Sequence, residues 1–70
     1  MKKLEKRSFR LAGHATSIAL EPEFWLAFEQ LAKAKKQSLP DLIGELDAQR
    51  TRNLASEIRV YVLAQLQGAA

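Results

Sequence analysis

Any chemistry in this 70-residue chain must come from one imidazole, a few hydroxyls and an uneven supply of cations. His14 stands beside Gly13 and close to Thr16-Ser17, an arrangement that invites a catalytic or metal role. A nucleophile and its base must lie within hydrogen-bond reach, however, and neighbours this close on an extended segment point to opposite or diverging sides. No cysteine occurs, no second histidine, and no companion carboxylate lies in the neighbourhood. The sequence therefore predicts no enzyme, no metal site and no cofactor, and leaves His14 a structural or ligand-facing hydrogen bond.

The cations carry more information. Lys and Arg number 11 against 8 Asp and Glu, a net charge of +3, and the excess sits at one end. Residues 1–14 hold Lys2, Lys3, Lys6, Arg7 and Arg10 against Glu5, a local charge of +4, which leaves the rest of the chain at −1. A basic arm over residues 1–13 on a near-neutral body suits a phosphate-tracking extension, because each neutralised phosphate releases counterions. A solvated tail fits the same charges.

The elements that must position these groups follow from periodicity. In Thr16-Ser17-Ile18-Ala19-Leu20, Thr16, Ile18 and Leu20 share one face and Ser17 and Ala19 the other, which predicts a short strand over 15–20. Glu21 then occupies an N-cap position, Pro22 suits a first helical turn, and Phe24, Phe28, Leu31 and Ala32, widened by Trp25 and Leu26, form an apolar stripe. The stripe runs out into Lys33, Lys35 and Lys36, so a helix is expected over about 22–36. Ser38 can cap a second helix over 39–50, with Asp41 at the capping-box position and Leu39, Leu42, Ile43 and Leu46 as its stripe. Asn53 or Thr51 can cap a third over 54–67, in which Leu54, Ile58, Tyr61, Val62 and Leu66 align, with Val60 and Leu63 beside them. That third stripe is wider than one contact requires. It either stabilises a dimer or completes the monomer's core.

Upstream, Phe9 and Leu11 are odd-numbered whereas Ile18 and Leu20 are even-numbered, a change of phase that needs a break. Gly13 is the place for a bulge or turn, and Arg7 to Leu11 is open to forming a second short strand or an edge extension. A lone short strand cannot satisfy its own backbone groups. A chain of this length buries only roughly 60% of its unfolded surface and usually needs disulfides, a metal or oligomerisation. Without cysteines, oligomerisation is the remedy left, and an obligate homodimer is expected.

The run Ser17-Ile18-Ala19-Leu20-Glu21-Pro22-Glu23-Phe24, through Leu31-Ala32 to Gln37-Ser38-Leu39-Pro40-Asp41-Leu42-Ile43, resembles without a gap the strand and two helices of ribbon-helix-helix (Arc/MetJ-like) repressors. Gly13-His14, Thr16-Ser17, Leu20-Glu21, Phe24-Trp25, Asn53-Leu54, Ser56, Ile58-Arg59-Val60 and Val62-Leu63 further resemble a bacterial subgroup of ribbon-helix-helix proteins with an extra C-terminal helix. Asn53-Leu54-Ala55-Ser56-Glu57-Ile58 also resembles the start of a second helix of this kind, but that register would insert the whole Leu39 to Gln49 segment into a short linker. The Ser38 register is preferred.

The resemblance implies a mostly α fold with one short strand: an intertwined homodimer whose strands pair into an intermolecular antiparallel ribbon, over residues 14–70. Its implied function is a dimeric, cytoplasmic transcriptional regulator, a repressor that inserts the ribbon into the major groove. Ala15, Ser17 and Ala19 would then face bases, and Lys6, Arg7, Arg10 and His14 would act from the arm. Ser38 and Leu39 would sit beside a phosphate. Thr16, Ile18, Leu20, Phe24, Phe28, Leu42 and Ile43 would build the dimer core. Of the base-facing set only Ser17 offers a hydrogen bond, so specificity would come from Arg7, Arg10, His14 or DNA shape.

The alternative is a non-enzymatic dimer of the same architecture that binds a protein partner, antitoxin-like or structural, with weak or no specific DNA binding. Antitoxins usually use a disordered C-terminal tail, for which Gln67-Gly68-Ala69-Ala70 leaves no room, so DNA binding is the preferred expectation. No membrane association is expected, since Val60-Tyr61-Val62-Leu63-Ala64 is the longest apolar stretch and is too short for a signal or a span.

Overall fold

The computed structural model describes residues 3–68. In chain order it contains β1 (Glu5–Leu11), β2 (His14–Leu20), α1 (Pro22–Ala34), α2 (Leu39–Gln49) and α3 (Leu54–Gly68). Met1 and Lys2 of the expected arm, and Ala69 and Ala70 at the other end, lie outside the described residues.

The two strands form an antiparallel hairpin, with Leu11 opposite His14, Phe9 opposite Thr16, Arg7 opposite Ile18 and Glu5 opposite Leu20. Two residues in the turn make partner numbers sum to an odd value. Odd positions on β1 therefore face the same side as even positions on β2, and the change of apolar phase between Phe9 and Ile18 is what such a hairpin requires. Ala12 (φ 49°) and Gly13 (φ 84°) both take positive φ, as a two-residue type I′ turn demands.

Residues 5–11 of the expected arm are thus a strand, the alternative left open for Arg7 to Leu11, and β2 has an antiparallel partner within its own chain. The physical reason is backbone satisfaction: β1 supplies the ladder partners that β2 needs, at the small entropic cost of closing a two-residue loop.

Each helix is bounded by local hydrogen bonds. Glu21 occupies the N-cap of α1 without a side-chain cap bond, and the helix ends where Lys36 turns to φ 58°. There the Gln37 N–H reaches the Ala32 carbonyl at 2.9 Å and the Lys36 N–H the Lys33 carbonyl at 3.0 Å, the two bonds of a Schellman ending with lysine where glycine is usual. Ser38 caps α2 by accepting from the Asp41 N–H at 3.2 Å. Asn53 caps α3 by accepting from the Ser56 N–H at 2.8 Å.

Ile18 and Leu20 from β2, Trp25, Phe28 and Ala32 from α1, Leu42, Ile43 and Leu46 from α2, and Ile58 and Val62 from α3 form the buried core. Four rings run through it: Phe9 to Trp25 at 5.8 Å, Trp25 to Phe28 at 6.4 Å, and Phe28 edge-on to Tyr61 at 6.2 Å between centroids. Of the residues expected in the core, Ile18, Leu20, Phe28, Leu42 and Ile43 are buried within the chain, with Thr16 and Phe24 half-buried at the margin. On α1 the inward position belongs to Trp25 rather than Phe24.

Because Ala12 carries a Cβ in the left-handed region, Ala12→Asn should stabilise the protein by about 0.5–1 kcal/mol in urea denaturation. Gly13→Ala should cost about 1–2 kcal/mol through backbone strain alone, since an added Cβ meets no atom within 4 Å.

Candidate nucleic-acid interface

Alternation gives the hairpin two unlike sides. Glu5, Arg7, Phe9 and Leu11 share one with His14, Thr16, Ile18 and Leu20, and this side faces the helices. The outer side carries Lys6 opposite Ala19, Ser8 opposite Ser17, and Arg10 opposite Ala15. Ala19 is half-buried and the other five are exposed. The Ser8 and Ser17 hydroxyls approach to 3.2 Å at the centre of this side. Two cations, two hydroxyls, two methyls and no carboxylate make a low, polar, positively charged surface.

The expected base-facing residues Ala15, Ser17 and Ala19 thus share one face with two of the expected arm residues, Lys6 and Arg10. Ser8 was missed. The signal for it was present, since pairing Phe9 and Leu11 inward on a second strand puts Ser8 outward between two cations.

Arg7 departs from its expected role. Its guanidinium donates to Glu5 and Glu29, each at 2.6 Å, and lies 4.6 Å from the centre of the Trp25 ring. The bond to Glu29, followed by that to Glu5, holds the guanidinium above its ordinary pKa, so it stays charged and engaged. Trp25 completes the knot by donating its indole N–H to the Glu5 carbonyl at 2.7 Å. A sequence with aromatics at Phe9 and Trp25 and an odd-numbered arginine on β1 contains these parts, but only the register of the hairpin brings Arg7 over the indole.

His14 is exposed at the end of β2, on the inner phase opposite Leu11, and so is not on the outer face. The start of α2 lies beside the hairpin tip, where Arg10, Leu11 and Ala12 face Pro40, Asp41, Gly44, Asp47 and Ala48 across an open cleft of about 410 Å³. As a phosphate cradle this helix start is poorly equipped. Pro40 has no N–H, the Asp41 N–H is bonded to Ser38, and the Leu42 N–H goes to the Ser38 carbonyl at 3.1 Å. The Leu39 N–H, first in the helix, has no acceptor within it, and Asp41 adds a negative charge to the same turn.

Arg59 of α3 donates to Glu21 at 3.0 Å, an ion pair between residues 38 apart in the sequence that no local pattern announces. A bond from its own backbone N–H, and next the Arg59 guanidinium, hold the Glu21 carboxyl below its ordinary pKa. A depressed folded pKa contributes stability above the unfolded carboxylate range and loses it as pH falls through the folded value. Glu21→Gln should therefore flatten the acid side of the stability–pH profile and leave its alkaline side unchanged, as read by denaturant melts across the acid range. Arg7→Ala should cost about 1–2 kcal/mol by removing the ring contact and both ion pairs, with Arg7→Lys recovering part of the loss.

Neither the curated proteins nor the solved structures contain a match to the chain. A ribbon-helix-helix domain family model matches residues 4–66, nearly the whole sequence and all but the last residues of α3. The strand-helix-helix order, the Ser38-capped second helix beside the hairpin tip and this match agree, and the chain belongs to the ribbon-helix-helix domain family.

Proposed function

We propose that the protein is a DNA-binding transcriptional regulator that sets the outer face of the β1–β2 hairpin into the major groove. The observation that carries this reading is the composition of that face: Lys6, Ser8, Arg10, Ala15, Ser17 and Ala19, cationic and free of acids, on the side of the sheet away from the helices. The major groove admits a two-stranded ribbon, and short side chains at Ala15, Ser17 and Ala19 let the backbone come close to the base edges. Family membership supports DNA regulation in general terms.

The roles differ by position. Arg10 and Lys6 flank the serine pair and supply charge to phosphates, with Arg10 also long enough and forked for a bidentate guanine contact worth about 1–3 kcal/mol. Ser8 and Ser17 offer hydroxyls to more than one base, and Ala15 and Ala19 suit thymine methyls. Arg7 is committed to Trp25 and two glutamates, so it belongs to the fold and not to the interface. Ser38 and Leu39 contribute at most one backbone N–H. The face is sparing in direct readout, which favours recognition by charge and DNA shape over a long base-specific code.

The test is a salt titration of binding to random and genomic duplexes. Lys6→Ala with Arg10→Ala should lower affinity for all sequences and flatten the plot of log affinity against log salt by about 0.9 for each phosphate that is no longer neutralised, while far-UV circular dichroism stays unchanged. Truncation of residues 1–7 is a poor substitute, because it removes three of the seven described β1–β2 pairs along with the charge. Intact protein that binds no duplex at low salt, or a double variant that binds as the parent does, would make a protein partner the better reading.

A further inference from the structure

Guanidinium and carboxylate pairing in this molecule is almost complete. Arg7 is held by Glu5 and Glu29, Arg50 by Asp47, Arg52 by Glu57 and Arg59 by Glu21, while Glu45 meets Gln37 and Lys35. Glu23 is engaged as well. Among the described residues this leaves Arg10 as the one arginine, and Asp41 as the one carboxylate, whose side chain has no partner. Both line the same place, the open cleft of about 410 Å³ between the hairpin tip and α2. Arg10 stands on β1 and Asp41 in the first turn of α2, and the two do not close on each other. The rest of the lining is short and mostly apolar: Leu11 and Ala12 from the hairpin, Pro40, Gly44 and Ala48 from α2. Asp47 also borders the cleft, but its carboxylate is bonded to Arg50 at 2.6 Å. Gly44 sits inside α2, where glycine holds a helix less well than alanine, and a Cβ there would meet no atom within 4 Å. Packing therefore does not demand this glycine, and its bare backbone keeps the cleft wall low.

We propose that this cleft is a binding site for a small zwitterion, an amino acid whose carboxylate meets the Arg10 guanidinium and whose ammonium meets the Asp41 carboxylate. The charges of the lining select this class. An anion alone would satisfy Arg10 but face the carboxylates of Asp41 and Asp47, and a cation alone would face Arg10. Only a molecule with both charges suits both walls. A guanidinium takes a carboxylate through two parallel N–H bonds, and a carboxylate accepts from an ammonium, so each contact is charge-assisted. The cleft also has the volume of a small-ligand site and the mixture expected of one, apolar surface with a few polar groups that fix orientation. Arg10 and Asp41 are both exposed, so each contact is screened by water and the affinity falls at about the millimolar level.

The inference does not rest on the DNA-binding reading, although both use Arg10, and it is tested without DNA. The probes are glycine, β-alanine and γ-aminobutyrate, whose two charges lie progressively further apart, with acetate and methylammonium carrying one charge each. They are titrated at low salt into the isotope-labelled full chain while its amide shifts are recorded. At least one of the three zwitterions should give saturable shifts at Leu11, Ala12, Gly44 and Ala48, and should bind about tenfold more tightly than either single-charge ion. Arg10→Gln and Asp41→Asn should each weaken that binding by about tenfold with the far-UV spectrum retained, since both side chains are exposed and the Ser38 cap bond uses the Asp41 backbone. Gly44→Leu, which adds bulk to the cleft wall and leaves both charges in place, should weaken it too. No saturable shift with any of the three zwitterions, equal binding of acetate or methylammonium, or an affinity unchanged in both charge variants would overturn the proposal.

Discussion

The rest of the structure depends on the pairing of β2 with β1 inside one chain. Strand β2 is seven residues long and carries backbone donors and acceptors that must find partners wherever water is excluded. The two-residue turn at Ala12-Gly13 delivers those partners from the immediately preceding segment, and its positive φ angles match the right-handed twist of the strands it joins. With that register set, everything else about the hairpin's two sides follows by alternation. Phe9, Leu11, Ile18 and Leu20 turn toward the helices, and Lys6, Ser8, Arg10, Ala15, Ser17 and Ala19 turn away. A slip of β1 by one residue would turn Phe9 and Leu11 out to solvent and Lys6 and Arg10 in toward the helices.

Trp25 secures this register from the helical side. Its indole N–H is bonded to the Glu5 carbonyl, its ring packs against Phe9 and Phe28, and the Arg7 guanidinium lies over it. Hydrogen bond, ring contacts and cation all weaken together if β1 shifts, so one side chain couples the hairpin to α1 and, through Phe28 and Tyr61, to α3. The consequence for function is a division of labour among cations that composition alone presents as one basic cluster. Arg7 is drawn inward to two glutamates, whereas Lys6 and Arg10, one and three residues away from it, remain on the open face.

Much of the fold was legible in the sequence. Pro22 after Glu21 and the three-and-four spacing of Phe24, Phe28, Leu31 and Ala32 mark α1, the Ser38-x-x-Asp41 pattern marks the start of α2, and Asn53 marks the start of α3. These are local signals, carried by neighbours within one turn, and local signals survive without tertiary context. The phase change between Leu11 and Ile18 was equally visible, yet its meaning was not, since a bulge, a free arm and a hairpin all accommodate it until the partner of β2 is known. Which cations stay on the surface depended likewise on contacts between residues far apart in sequence: Arg7 with Glu29, Arg59 with Glu21. Sequence periodicity determines which residues share a face of an element. Only tertiary packing decides what that face meets, because the free energy that selects the partner comes from groups brought together by the fold and not by their spacing along the chain.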